Sequence, residues 1–330
     1  MSVKIIAEIA QGYEGKTEQA LLLARAGAAC GADAVKIQCV YADDISVPSY
    51  KHYEFFKTLE MPISIWQKIA EIIHQANQEL IINVGGEQSL VVSAKIGADA
   101  VKFHATSFFC NELVHEALQK FAKVYISVGG LTPEEIAQFI SHHSLKPGKQ
   151  VAFTYGFQAS PTPLEKNNLR KLGAFISRFS GFDFGFEDHT DAVSPDRLTV
   201  PLMALPYGIQ HLEKHLTLDT CLSLEDSESA ISPTEFKLFV DMVRRLESTL
   251  GMDDLSLTDI ENDYRGRVLK VAVTSAELTA GTVLGASNIA LKRVPEPSQN
   301  GFVRREDLYG KKIAKNVPLH AQIVSEMIEG

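Results

Sequence analysis

The sequence predicts an α/β protein: a closed (β/α)8 TIM barrel followed by a small β-rich domain. Three observations predict it. Short apolar runs alternate with longer amphipathic stretches eight times before Gly251. Gly-Ala-Asp-Ala-Val-Lys occurs twice, at residues 31–36 and 97–102, each time where glycine ends a helix and apolar residues open a strand. After Gly251 the texture turns acidic and polar, then returns to short β-like runs. The rival arrangement is an open doubly wound sheet, which requires a reversal of strand order.

In order, residues 3–10 predict a strand and 17–29 a helix, and residues 34–37 the second strand. Residues 50–58 carry no clear pattern, and 63–78 predict a helix. Strand and helix then follow at 80–84 and 89–96, 98–103 and 112–121, 123–128 and 133–141, and 150–154 and 163–178. The seventh pair is 182–186 and 195–204, and the eighth is 207–212 with 233–250. The barrel domain is thus expected at 1–251 and a polar linker at 252–267. The second domain follows at 268–330, with a turn at Thr279-Ala280-Gly281-Thr282. About 60 residues is a marginal size for an independent core, so this tail is expected to dock on a barrel, its own or a partner's.

The chain has 330 residues, 45% of them hydrophobic, and a formal net charge of −9. It can bury a large core, and it shows no basic face, which argues against a nucleic-acid partner. The four cysteines form no C-x-x-C pair, which fits a reducing cytoplasm. No apolar stretch follows a basic start, and none approaches 18 residues, so neither a secretory signal nor a membrane span is expected. No Walker-type loop, G-x-G-x-x-G or G-x-S-x-G is present, so nucleotide and serine-hydrolase chemistry lack a motif.

A barrel of this kind carries its active site at the C-terminal ends of its strands. Those ends bear Glu8, then Lys36 and Gln38, Asn83, Lys102 with His104, Ser127, Gln158, Glu187-Asp188-His189, and Glu213-Lys214-His215. Burying such groups is costly, and a ring of them points to chemistry rather than packing. Lys36 and Lys102 aim two cations at one mouth, so a phosphate or carboxylate substrate is expected between them. The competing reading pairs each lysine with a barrel carboxylate such as Glu8 or Glu213. His189 and His215 sit just past the ends of neighbouring strands and are the candidates to hold a divalent metal. His104 and His211 lie in or beside strands and stay open.

The segments Ile6-Ala7-Glu8-Ile9, Ala34-Val35-Lys36-Ile37-Gln38, Glu187-Asp188-His189-Thr190 and Glu213-Lys214-His215-Leu216-Thr217-Leu218-Asp219 resemble the sialic acid synthase family. The resemblance runs over nearly the whole chain. The tail, with Ala280-Gly281-Thr282 and Lys292-Arg293-Val294-Pro295, resembles the antifreeze-like (SAF) domain of those synthases. It implies condensation of phosphoenolpyruvate with an open-chain N-acetylated amino sugar, giving a nonulosonic 2-keto acid plus phosphate. It implies a divalent metal on His189 and His215, Mn²⁺ first and Mg²⁺ or Co²⁺ as alternatives. It places phosphoenolpyruvate on Lys36, Lys102 and Ser127, and Glu8 near the reacting carbons. It brings Arg293 to the sugar from the partner subunit of a domain-swapped homodimer.

The chain departs from the family pattern at several points. Glu187 stands where the family commonly has serine, and a carboxylate there repels phosphate unless a lysine pairs with it. Asn83 lies where many members read Ser-Thr-Pro, and Gln158-Ala159-Ser160-Pro161-Thr162-Pro163 and Leu224-Glu225-Asp226-Ser227 replace other family segments. Two further functions stay open on the same barrel: a Schiff-base aldolase using Lys36 or Lys102, and a sugar-binding protein that has lost the phosphate site.

Overall fold

A computed structural model of the chain describes residues 2–156, 159–251, 253–298 and 300–329. The chain divides into two compact units, Met1–Gly251 and Met252–Gly330.

The first unit is the expected barrel. Its strands are β1 (Lys4–Glu8), β2 (Ala34–Cys39), β3 (Glu79–Val84), β4 (Ala100–Phe103), β5 (Val124–Ser127), β6 (Gly148–Tyr155), β7 (Phe182–Asp188) and β8 (His211–Leu216). They pair in parallel in chain order, and β8 returns to β1 with His215 opposite Glu8. The doubly wound alternative is thereby excluded. A two-residue β9 (Ala230–Ile231) extends β8 on its far side.

The helices on the outside are α1 (Thr17–Ala29), α2 (Ala42–Ile45), α3 (Tyr53–Thr58), α4 (Ile63–Gln75), α5 (Glu87–Lys95), α6 (Asn111–Lys120), α7 (Pro133–His142), α8 (Leu169–Arg178) and α9 (Pro233–Glu247). Local chemistry fixes their starts. Thr132 and Ser232 cap α7 and α9 by accepting from the backbone of Glu135 and Glu235, whose carboxylates return to the cap. Pro133 and Pro233 occupy the first helical position, where no backbone donor is needed. In α4, Trp66, Ile69, Ala70 and Ile73 line one buried stripe, the spacing of a helix face on a core. The main core lies between strands and helices.

Inside the barrel, side chains follow the two-residue period of the strands. Ile6, Ala34, Ile81, Ala100, Tyr125 and Ala152 form a separate buried floor. Two residues further along the same strands stand Glu8, Lys36, Asn83, Lys102, Ser127 and Thr154, all buried. On β7 and β8 the corresponding steps are Gly185 and His211, then Glu187 and Glu213, which are register partners. Gly185 makes room for the His211 ring: a Cβ there would lie 2.1 Å from it.

Four expectations are corrected. Glu187, Asp188, Glu213, Lys214 and His215 lie within β7 and β8 rather than past their ends. The eighth strand begins at His211, because Tyr207 still belongs to a 3-10 helix, Pro201–Tyr207, closed by left-handed Gly208. Turns over 195–200 and that 3-10 segment replace the helix expected at 195–204; Pro201, in the interior of that span, lacks the N–H an α-helix would need there. Within residues 50–58, Tyr53–Thr58 form α3.

The second unit has its own buried core of Ala272, Leu278, Leu284, Ile289, Leu308, Ile313, Val317 and Ile323. Antiparallel β10 (Val271–Thr274) and β11 (Ile289–Lys292) pair within it. The turn at 279–282 is present, with Gly281 at φ +80° and the Thr282 amide donating to Thr279 at 3.1 Å. The stretch expected as a linker carries an exposed helix, α10 (Asp259–Val268), capped by Thr258 and Glu261. Among the described residues no helix is long and apolar enough to cross a membrane.

Candidate active site

Strand alternation draws six polar side chains into one buried chain of contacts. The Lys36 ammonium is paired with Glu8 and lies 2.7 Å from Glu213. Lys102 lies 3.0 Å from the other oxygen of Glu213 and is paired with Glu187. The Ser127 hydroxyl donates to Glu187 at 2.9 Å. The order Glu8–Lys36–Glu213–Lys102–Glu187–Ser127 alternates in charge and crosses β1, β2, β8, β4, β7 and β5. None of these side chains is more than 2% exposed.

Removing ions from water costs several kcal/mol apiece, at roughly this burial, and only close partners repay it. Here they shift the protons as well. Burial lowers the Lys36 ammonium to about 7 against the raising effect of Glu213. Burial also acts to lower Lys102, but Glu187 and Glu213 overcome it and hold the group above its ordinary range. For Glu213 burial acts upward, yet Lys102 and Lys36 hold it well below the usual carboxylate range. The lysines therefore face barrel carboxylates and not an empty anion seat, as the competing reading of the sequence had it. By formal count, three carboxylates against two lysines leave one surplus negative charge.

His189 and His215 stand above this chain. Their Nε2 atoms are 3.1 Å apart and their ring centroids 4.7 Å apart. Burial holds His189 below the usual histidine range and His215 well below it, so both rings are neutral near pH 7. Nδ1 of His189 meets the Glu187 carbonyl at 3.3 Å, the kind of contact that orients a ligating imidazole. The His189 carbonyl accepts from the Ser229 hydroxyl at 3.1 Å. On the opposite face of the same strands Lys214 donates to Asp188 at 2.5 Å, and Thr190 donates to Asp188 at 2.6 Å. That pair ties β7 to β8 one residue before each ring. Among the described residues no cluster of three or more His, Cys, Asp or Glu is arranged to hold a metal. Two converging neutral nitrogens over surplus negative charge nonetheless suit a divalent cation that takes its remaining ligands from water or substrate.

Asn83 is buried in register with Lys102 on one side and Gln38 on the other, and its Oδ1 has no hydrogen-bond partner. Gln38 accepts from Gln11 at 2.8 Å. Gln158 lies outside the described residues. Arg293 belongs to the second unit, where its Nε donates to the Val268 carbonyl at 3.0 Å.

The sequence offers Glu213 as a strand-end residue and, in the competing reading, as a lysine's partner; in the structure it bridges both lysines. Its signal was the alternation of His211, Glu213 and His215 with Leu212, Lys214 and Leu216. Of the two open histidines, His211 is a floor residue, 3.2 Å from the Thr154 hydroxyl and edge-on to Tyr125. His104 follows β4 two residues beyond Lys102, and burial, with Lys36 and Lys102, pushes it well below its usual range.

The NeuB family model matches residues 23–254, most of the barrel unit, and the SAF domain model matches residues 270–329. The chain belongs to the NeuB family. Its relatives within and beside that family include a pseudaminic acid synthase of Campylobacter jejuni, 25% identical over 96% of this chain and 93% of that protein. An N,N'-diacetyllegionaminic acid synthase of Legionella pneumophila is 23% identical over 100% of this chain and 95% of that protein. Among solved structures, an N-acetylneuraminic acid synthetase from Leptospira borgpetersenii aligns with a TM-score of 0.74 at 22% identity, covering 81% of this chain and 93% of that one. The spore coat polysaccharide biosynthesis protein SpsE of Bacillus subtilis aligns at 0.66 and 24%, covering 100% and 96%. These structural likenesses carry the fold, and the NeuB and SAF matches assign the resemblance found in the sequence.

Proposed function

We propose that this NeuB-family protein is an enzyme, a synthase that joins phosphoenolpyruvate to an open-chain N-acetylated amino sugar and releases a nonulosonic 2-keto acid and phosphate. The observation that carries the reading is the pair of facing imidazoles set over the buried lysines in a barrel of this family. Curated relatives of nearly the same length are named as pseudaminic, legionaminic and N-acetylneuraminate-9-phosphate synthases, which supports the substrate class.

Nε2 of His189 and Nε2 of His215 would hold the divalent metal, with Mn²⁺ first and Mg²⁺ or Co²⁺ as alternatives. Bound there, the ion supplies Lewis-acid polarisation of the sugar aldehyde. The chain's own groups do the rest. Lys36 and Lys102 neutralise the charge of phosphoenolpyruvate and fix its approach. Ser127 adds a hydroxyl donor. Glu8, anchored by the Ala10 amide at 2.6 Å, faces the positive charge that develops at C2 when the enol methylene carbon attacks. Glu213, held ionised by Lys36 and Lys102, keeps its charge while water adds at C2, and the proton of that water passes to Glu8 or to the departing phosphate. Asn83 Oδ1 is placed to accept from a sugar hydroxyl or amide, next to Gln38. Gln158 is a further candidate for binding substrate from the sequence alone.

A domain-swapped homodimer, with Arg293 serving the partner's barrel, and a cytoplasmic setting complete the proposal. Removing residues 252–330 then abolishes turnover while the barrel stays folded; full activity of the truncated chain removes the role of Arg293. The synthase reading itself is tested by phosphate release from Mn²⁺, phosphoenolpyruvate and a panel of N-acetylated hexosamines. No release from metal-loaded enzyme with any sugar of the panel rejects it.

A further inference from the structure

In this structure neither lysine of the mouth is open to an incoming anion. Lys36 is 0% and Lys102 1% exposed, and among the described residues each is ion-paired with two carboxylates. A ligand carrying phosphate or carboxylate reaches an ammonium only if one of the three glutamates yields.

The three are not equally held. Glu213 spans both lysines, and its departure would strip each of a partner. Glu8 is fixed by the Ala10 backbone amide as well as by Lys36. Glu187 is held by Lys102 and by the rotatable Ser127 hydroxyl. When it leaves, Lys102 keeps both oxygens of Glu213, at 3.1 and 3.0 Å. Its departure therefore orphans no buried cation, and orphaning is the expensive event. It also frees one ammonium and one hydroxyl together, which is the donor set an anion needs. The vacated space lies two residues before His189, beneath the imidazole pair. The backbone there is fixed: the Glu187 carbonyl passes so near Gly156 that a Cβ on that glycine would sit 2.2 Å away. Only the side chain has to move.

We propose that the Glu187 carboxylate is a built-in competitor for the substrate's anion: it occupies the seat made by Lys102 and Ser127, and phosphoenolpyruvate binds by displacing it. The inference rests on the synthase reading for the identity of the ligand, not for the seat. It makes Glu187 a specificity-determining residue that weakens the enzyme's hold on anions and raises its demand for a ligand with enough charge to win the exchange.

The test is calorimetric titration of the full chain, without sugar, comparing the wild type with Glu187→Gln and Glu187→Ala. Gln keeps the shape and removes the charge, so it guards against loss of fold, which thermal melting checks. Phosphoenolpyruvate and inorganic phosphate are titrated separately. The expected result is at least about tenfold tighter binding of both to each variant. Equal or weaker binding of both anions to the variants overturns the inference and leaves the synthase reading standing. Tighter phosphate binding in the variants, with no phosphoenolpyruvate binding by any of the three proteins, supports the seat and removes the synthase reading.

Discussion

The Nε2 atoms of His189 and His215 lie 3.1 Å apart, and one residue before each, on the opposite face of β7 and β8, Asp188 and Lys214 clasp each other across the same register.

Metal binding should therefore need both rings. His189→Ala or His215→Ala is expected to weaken Mn²⁺ binding by more than about 100-fold, while thermal melting of the metal-free protein changes little. Electron paramagnetic resonance of added Mn²⁺ reads the bound fraction directly. Tight binding in either variant would move the metal elsewhere.

Lys214→Met should leave Asp188 charged, buried and short of its partner. The expected loss is about 3–5 kcal/mol of stability, read from the urea midpoint. The double variant Asp188→Asn with Lys214→Met removes both charges and should recover part of that loss. Additive losses would show that the two residues are not coupled.

Burial pushes His104 and His211 well below the ordinary histidine value of 6.5. The folded protein keeps them neutral, while the unfolded chain takes up protons as pH falls past about 6.5. Their contribution to stability is thus complete above that value and is lost as pH drops below it, at up to about 1.4 kcal/mol per pH unit for each ring. Urea midpoints measured between pH 8 and pH 5 should fall on the acid side. His211→Gln should make the decline shallower.

An aldolase of the Schiff-base type needs a free lysine amine. Burial lowers Lys36 to about 7, which favours that chemistry, but Glu8 and Glu213 both grip its ammonium. The expected outcome of borohydride treatment with pyruvate is no mass adduct on Lys36 or Lys102. A stable adduct on either would replace the synthase reading.

Much of the barrel was legible because its strands are apolar on the helix side and its helices start at visible caps. The seventh strand runs two residues past its expected end, and the eighth lies later than expected for a physical reason. In β8 the inward positions are His211, Glu213 and His215 and one outward position is Lys214, so hydropathy does not mark it as a strand. Only its two-residue period does. The 3-10 segment after β7 hides behind a helical pattern over 195–204 that Pro201 interrupts. The candidate residues were visible as strand ends, but their pairing was not. Lys36 and Glu213 are 177 residues apart, and Lys102 and Glu187 are 85 apart. They meet only through closure of β8 on β1, so the sequence left open whether the lysines faced a ligand or each other's carboxylates.

The linked run from Glu8 to Ser127 has a bearing on how such a protein can change over generations. Each acid serves a base that serves another acid, so losing either lysine leaves Glu8 or Glu187 without its cation in a dry interior. Viable routes to a new specificity are narrowed to compensated, multi-residue exchanges. Glu187 is the acid held most lightly, by Lys102 and a rotatable hydroxyl where Glu8 has a backbone amide and Glu213 a second lysine, and it is the position at which a single change can re-tune the enzyme without unravelling its centre.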